Sequence, residues 1–217
     1  KKIMKNALNL KRLKILNLSK KYIELYGWND QIFKSVTDSS KYTIEETKIL
    51  FPLGYKSLLI FYLDNLNKEV NRTIQKKKLS NLKTHEKIKE LILIRLKFNE
   101  KEKQLIKKTI YALMLPNNSK ISLTSLYKTI DSIWYLAGDN STDFNYYSKR
   151  IILAMIYSNV LFYWAVRNKS LLQTSKYIDK NLKLTSIISK IKKSKIITKF
   201  DLNKFFSNYN QTSNFKQ

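Results

Sequence analysis

"GWNDQIFKSVTDSSKYTIEETKILFPLG", residues Gly27 to Gly54, is more heavily punctuated than the sequence around it. Gly27 stands where an amphipathic helix over ~8–26, with apolar Leu13, Leu16, Ile23 and Tyr26, has to end, the usual place for a glycine. Trp28 opens the next piece. Asn29 or Asp30 can cap a short helix through Val36, with Ile32, Phe33 and Val36 on one face. Asp38-Ser39-Ser40 reads as a turn. Thr43 can cap another short helix, and Glu46, three residues on, completes the capping-box pattern. Phe51-Pro52-Leu53-Gly54 is a break, after which a longer helix runs through Val70.

Short helices followed by a long one, within about seventy residues, give the layout of a helix-turn-helix head of the TetR kind. Beyond it, Gln75 to Lys83 is a polar loop. Periodicity then predicts helices over ~84–98, ~100–115, ~121–137, ~143–167 and ~171–193, with Pro116-Asn117-Asn118 as a separator and Asp143 as an N-cap. There are no repeats, and no alternating strand pattern holds up. With three Gly and two Pro in 217 residues, turn-rich all-β folds are disfavoured. The expected fold is all-α and TetR-like, with about nine to ten helices. Its parts are a head over 1–70, a larger helical ligand-binding half over 71–195, and a basic amphipathic tail over 196–217.

Composition narrows the chemistry. Hydrophobic residues, 43 % of the chain, suffice for a core. Without cysteine there can be no disulfide, thiolate nucleophile or cysteine metal site, and one histidine, His85, cannot form a histidine cluster. A net charge of +26 invites a nucleic-acid reading, but lysine, isoleucine and asparagine are what an A/T-rich coding sequence favours. The distribution is more informative. Residues 111–166 carry Lys120, Lys128, Lys149 and Arg150 against Asp131, Asp139 and Asp143, whereas 167–217 carry twelve Lys/Arg against Asp179 and Asp201. A near-neutral apolar zone thus precedes a strongly basic end. No apolar run follows the first lysines, so no secretory signal is expected. The most apolar run, Ile151–Val166, falls short of the ~20 residues a membrane span wants and is interrupted by Tyr157, Ser158 and Asn159, so it reads as a buried core helix.

A DNA-reading head would offer cations and amides at the start of its recognition helix. Here that helix begins Thr43-Ile44-Glu45-Glu46-Thr47-Lys48, and two glutamates would face the phosphates. Specific nucleic-acid binding is therefore not expected, and the head is read as packing or dimerising. A TetR-type transcriptional regulator with a hydrophobic ligand pocket is the alternative function.

The zone around residue 140 carries a distinctive block. Trp134, "AGD" (Ala137 to Asp139), "STDFN" (Ser141 to Asn145), Tyr147 and Lys149-Arg150 closely resemble the signature of the coenzyme Q nine family. "YGW" (Tyr26 to Trp28), "LFP" (Leu50 to Pro52), "LMLPNN" (Leu113 to Asn118), "DSIW" (Asp131 to Trp134) and Tyr163-Trp164 resemble further family segments in the expected order, so the likeness spans roughly residues 10–185. The resemblance implies a non-catalytic, TetR-fold helper of ubiquinone biosynthesis. Such a protein holds an isoprenoid quinone precursor in its larger half, sits on a membrane through a C-terminal helix, and presents the lipid to the demethoxyubiquinone hydroxylase. It implies a peripheral location on the cytoplasmic face of the bacterial inner membrane, with the mitochondrial matrix side of the inner membrane as the alternative, and leaves a homodimer open. The chain departs from the family in having Tyr146 where Trp is common, Arg167-Asn168-Lys169 where an Asp-containing turn is common, and a shorter C-terminal region.

Residue types place the candidate sites. For the lipid, Leu153, Ile156, Tyr157, Val160, Leu161 and Trp164, with Leu113 from the helix before Pro116, supply the apolar and aromatic lining such a cavity needs. For the partner, Tyr146, Tyr147 and Arg150 share one face after the Asp143 cap, with Ile133 able to join them. Aromatics and arginine dominate interface hot spots, so Tyr146 and Arg150 are expected at the surface, and Phe144 and Trp134 in the core. For an anionic membrane, Lys195, Ile196, Ile197, Lys199, Phe200, Phe205 and Phe206 set lysines beside an apolar stripe. No catalytic residue, metal site or cofactor other than the bound lipid is expected. His85 directly precedes Glu86, so no Glu-x-x-His di-iron pair exists, and neither a phosphate loop nor a nucleophile–base pair is present.

Overall fold

The computed structural model describes residues 2–77, 81–139 and 144–191; among these are nine α-helices and no strand. The head comprises α1 (Lys2–Tyr26), α2 (Gln31–Asp38) and α3 (Ile44–Leu50), followed by the long α4 (Tyr55–Gln75), which runs five residues past the expected end at Val70. Gly27 ends α1 at φ 78, its N–H donating to Ile23 O at 2.8 Å. Thr43 caps α3 as its sequence requires. Its Oγ1 accepts from Glu46 N, and its own N–H donates to Glu46 Oε2, both at 3.2 Å.

Of the two candidate caps at the start of α2, Asn29 is the one used. Asp30 makes no side-chain cap there; Asn29 Oδ1 accepts from Gln31 N at 3.0 Å instead. Asp30 Oδ1 accepts from Tyr55 N at 2.7 Å, so it caps α4 from a distance and ties the starts of two helices together. Gly54, at φ 57, lets the backbone come this close, because a Cβ at that position would run into Asp30 Oδ1.

The larger half consists of α5 (Thr84–Phe98), a 3-10 turn (Glu100–Glu102), α6 (Lys103–Met114), a second 3-10 turn (Pro116–Asn118), α7 (Ser119–Ala137), α8 (Phe144–Leu161) leading into a π-helical turn (Phe162–Val166), and α9 (Leu171–Ile191). Helix α7 packs on α4, α5, α6 and α8, and α9 packs on α5 and α8. Buried Asn118 donates Nδ2 to Ala112 O at 2.8 Å, answering a carbonyl at the end of α6. One contiguous apolar core runs from Ile15 and Phe51 in the head to Trp164 and Ile178. Trp28 bridges the halves: its Nε1 donates to Thr109 Oγ1 on α6 at 3.1 Å, and its ring lies 5.5 Å from that of Tyr62 on α4.

Tyr146–Val166 is long and apolar enough to cross a membrane by length and composition alone. One of its faces, with Leu153, Ile156, Val160 and Trp164, is nevertheless buried within the fold. Removing each such side chain from water contributes ~1.5–3 kcal/mol. The basic tail, including Lys195, Ile196, Ile197, Lys199, Phe200, Phe205 and Phe206, lies outside the described residues, as do Asp143 and the side chain of Phe144.

Candidate functional site: an apolar cavity and an ionic clasp

Helices α4 to α8 line a cavity of ≈ 360 Å³ that is partly open to solvent. Leu66, Leu96, Ile106, Ile110, Leu113 and Phe162 supply much of its lining. At its rim, Lys128 Nζ pairs with Asp64 at 2.8 Å. Its inner wall also carries polar groups from α4, α5 and α8. Arg95, only 4 % exposed, donates Nη2 to Asn71 Oδ1 at 2.7 Å and to Ser132 Oγ at 3.4 Å. Asn99 donates Nδ2 to Arg95 O at 2.7 Å. Burial lowers the Arg95 pKa, with the Tyr157 hydroxyl opposing it, but a guanidinium keeps its proton in a protein. Burial raises the Tyr157 pKa as well, so its hydroxyl stays neutral beside the cation.

Of the sequence-derived lipid residues, Leu113, Tyr157 and Leu161 line this cavity. Leu153, Ile156, Val160 and Trp164 do not; they fill the solid core. The correction follows from helical geometry. Along α8 those four share a stripe, while Tyr157–Leu161 and Ser158–Phe162 form adjacent rows one turn apart that face the cavity. Sequence reasoning missed the polar wall of Tyr62, Asn67, Arg95 and Asn99. The signal was present in α5, where Arg95 falls on the apolar row of Ile88, Leu91 and Ile92.

The distinctive block around residue 140 builds something else. Helix α7 ends at Gly138, left-handed at φ 86, with Gly138 N donating to Tyr135 O and Asp139 N to Trp134 O, both at 3.0 Å, a Schellman closure. This turn fixes Asp139, whose side chain is 4 % exposed, against α8. Lys149 Nζ reaches Asp139 Oδ1 at 2.7 Å, and Arg150 Nη1 reaches Oδ2 at 3.3 Å. Arg150 Nε also donates to Asp131 Oδ1 on α7 at 2.9 Å. The Arg150 guanidinium lies 3.3 Å from the Tyr146 ring centre, and the Tyr146 hydroxyl bonds Asp131 Oδ1 at 3.2 Å and Tyr127 Oη at 3.0 Å. Burial first, then the Tyr127 hydrogen bond and the Asp131 charge, raise the Tyr146 pKa well above the usual tyrosine range.

The expected surface position of Arg150 is thus corrected. It is 6 % exposed, because Asp131 of α7 and Asp139 of the turn that closes α7 draw it inward. Ile133 is fully buried beneath it, and Trp134 is core as expected. Tyr146 and Tyr147 are half-buried, their rings edge-on at 5.1 Å.

The class defined by fold and site is an all-α, TetR-fold protein with an apolar cavity in its larger half. The TetR transcriptional regulator from Nitrosomonas europaea, seen in a crystal structure, superposes with a TM-score of 0.65 at 13 % identity, over 81 % of this chain and 98 % of that one. At such identity the likeness concerns the fold. Residues 119–187, the segment of α7, α8 and most of α9, match the COQ9 family model. A probable ubiquinone biosynthesis protein coq9, mitochondrial, from Dictyostelium discoideum is 27 % identical over 154 residues, 68 % of this chain and 50 % of that protein. The human ubiquinone biosynthesis protein COQ9, mitochondrial, is 28 % identical over 152 residues, 67 % of this chain and 48 % of that protein. The Schizosaccharomyces pombe protein of that name is 33 % identical over 120 residues, 52 % of this chain and 44 % of that protein. The resemblance to the coenzyme Q nine family read from the sequence is thereby shown. The chain spans about half the length of the curated relatives it matches.

Proposed function

We propose that this chain serves ubiquinone biosynthesis as a non-catalytic lipid-binding protein. It holds an isoprenoid quinone intermediate between α4 and α8 and presents it to the demethoxyubiquinone hydroxylase at a membrane. The observation that carries this reading is an apolar cavity in a fold whose α7–α9 segment matches the COQ9 family. The relatives are named as mitochondrial, which favours a mitochondrial location over the bacterial one; the matrix side of the inner membrane is the position we propose within it. The partner surface is read on half-buried Tyr146 and Tyr147, together with buried Arg150 and Ile133 and with Asp143, which lies outside the described residues. The anionic-membrane role of the tail rests on its lysine and phenylalanine pattern.

Mass spectrometry of lipids extracted from the purified chain tests the reading. Isoprenoid quinone-pathway intermediates at near-stoichiometric level are expected, and protein that is uniformly empty after expression in a ubiquinone-producing host would overturn it. Specific DNA binding is disfavoured by the exposed Glu45 and half-exposed Glu46 at the start of α3, which would meet phosphate with like charge.

A further inference from the structure

The polar groups on the inner wall form a set with a definite hydrogen-bonding character. Tyr62 Oη, Asn67 Oδ1, Arg95 Nε and Asn99 Oδ1 are all shielded from solvent, have no hydrogen-bond partner within the protein, and belong to residues lining the cavity. Tyr62 faces Thr109, whose Oγ1 accepts from Trp28 Nε1 and donates to Leu105 O, and the two facing hydroxyls make no well-formed hydrogen bond. Asn99 cannot turn its amide over without giving up the Nδ2 bond to Arg95 O, so an acceptor is what it offers the cavity. The Arg95 guanidinium has no ion-pair partner among the described residues.

Buried polar atoms are nearly always answered by protein, water or ligand, and leaving one unanswered costs ~1–3 kcal/mol. A hydrocarbon chain answers none of these. A quinone ring offers only carbonyl and ether acceptors; it can serve Arg95 Nε–H and Tyr62 Oη–H but leaves the Asn67 and Asn99 oxygens bare. A hydroxyl both accepts and donates, so a single hydroxyl of a hydroquinone or phenol can accept from the cation and at the same time answer one carboxamide oxygen, which a quinone carbonyl cannot do.

We infer that Arg95, Asn99, Asn67 and Tyr62 form a head-group subsite that takes a hydroquinone or phenol in preference to the corresponding quinone. The chain of the ligand then follows Leu66, Ile110 and Leu113. This assignment rests on the lipid-carrying reading above and names the chemical form carried. It makes Arg95 the residue that attracts any oxygenated head, and Asn99 the residue that tells the reduced form from the oxidised one.

The test uses decylubiquinol and decylubiquinone as probes, titrated anaerobically into the purified full chain. The quinol should bind roughly tenfold tighter, the effect of one unanswered acceptor. The midpoint potential of the bound couple should then rise by ~30 mV relative to the free couple. Asn99→Leu should remove most of the preference, and Arg95→Met should weaken both probes while retaining the fold, since replacing a buried charge by an apolar side chain of similar volume is commonly tolerated. The potential shift in the unaltered protein needs no variant, so a misfolded Asn99→Leu leaves the test intact. Saturable binding of both probes with equal affinity, or preference for the quinone, overturns the head-group assignment while the lipid-carrying reading stands. Binding of neither probe overturns both.

Discussion

Arg150→Glu would place a carboxylate where a guanidinium now holds two others. Asp139, with a side chain 4 % exposed, loses the guanidinium and keeps Lys149; Asp131, 41 % exposed, loses its cation and relies on water and the Tyr146 hydroxyl. Breaking a buried ion pair from one side costs ~3–5 kcal/mol. The retained Lys149–Asp139 contact at 2.7 Å puts the loss at the lower end, and the half-exposed Asp131 pair adds at most ~1 kcal/mol because solvent screens it. A loss of ~3 kcal/mol in a domain of this size lowers Tm by ~6–12 °C. Thermal and urea melts of Arg150→Glu beside Arg150→Met separate lost attraction from added repulsion, the charge-reversed variant being the less stable. Joining Arg150→Met to Asp139→Leu should regain part of the loss, because the buried carboxylate that lost the guanidinium is gone. If Arg150→Glu melts within about a degree of the parent and loses only its capture of the hydroxylase, then Arg150 is a surface contact and the clasp between α7 and α8 is not structural.

Leu113→Trp should lower the lipid recovered from purified protein by filling the cavity, whereas Leu153→Trp should overpack the core and cost ~1–3 kcal/mol in a urea melt; the reverse pattern would place the cavity elsewhere. Thr43→Ala should cost ~1 kcal/mol in the same melt by removing the α3 cap. The backbone hydrogen bond from Thr43 and the Lys11 ammonium hold the Glu46 pKa below the usual carboxylate range, so what Glu46 adds to stability is present above the unfolded value and is lost as pH falls through the depressed folded one. The Tm difference between the parent and Glu46→Gln should therefore shrink on acidification below pH ~4, and a difference that grows would refute the assignment. Titration with duplex DNA at near-physiological salt should show only weak, sequence-indifferent binding, and a tight, sequence-selective complex would restore the regulator reading.

Helix positions were largely legible because their determinants are local. Thr43 and Glu46 cap α3 through atoms three residues apart, and Gly27 and Gly138 stop helices by adopting positive φ. The choice between Asn29 and Asp30 as the cap of α2 was not legible, because the partner that takes Asp30, Tyr55 N, is twenty-five residues away. Periodicity likewise shows that a side chain faces inward without showing what lies opposite. Leu153 and Leu161 look alike in sequence, yet one meets packed side chains and the other open space. Arg150 resembled a hot spot because composition cannot distinguish an arginine turned toward a partner from one clasped by Asp131 and Asp139. Arg95 was passed over as one more cation in a lysine-rich chain, although its place on the apolar row of α5 set it apart.

Trp28 belongs to the head by sequence, yet it stands directly behind two residues of the cavity wall, donating to Thr109 and packing against Tyr62. The head is therefore the back plate of the container. Trimming it away would unseal the cavity from behind, freeing the Thr109 hydroxyl and letting water reach Tyr62. The head thus works as a stopper, and its apolar face toward α6 cannot be altered without cost to the cavity, whereas the exposed surface of α3 can.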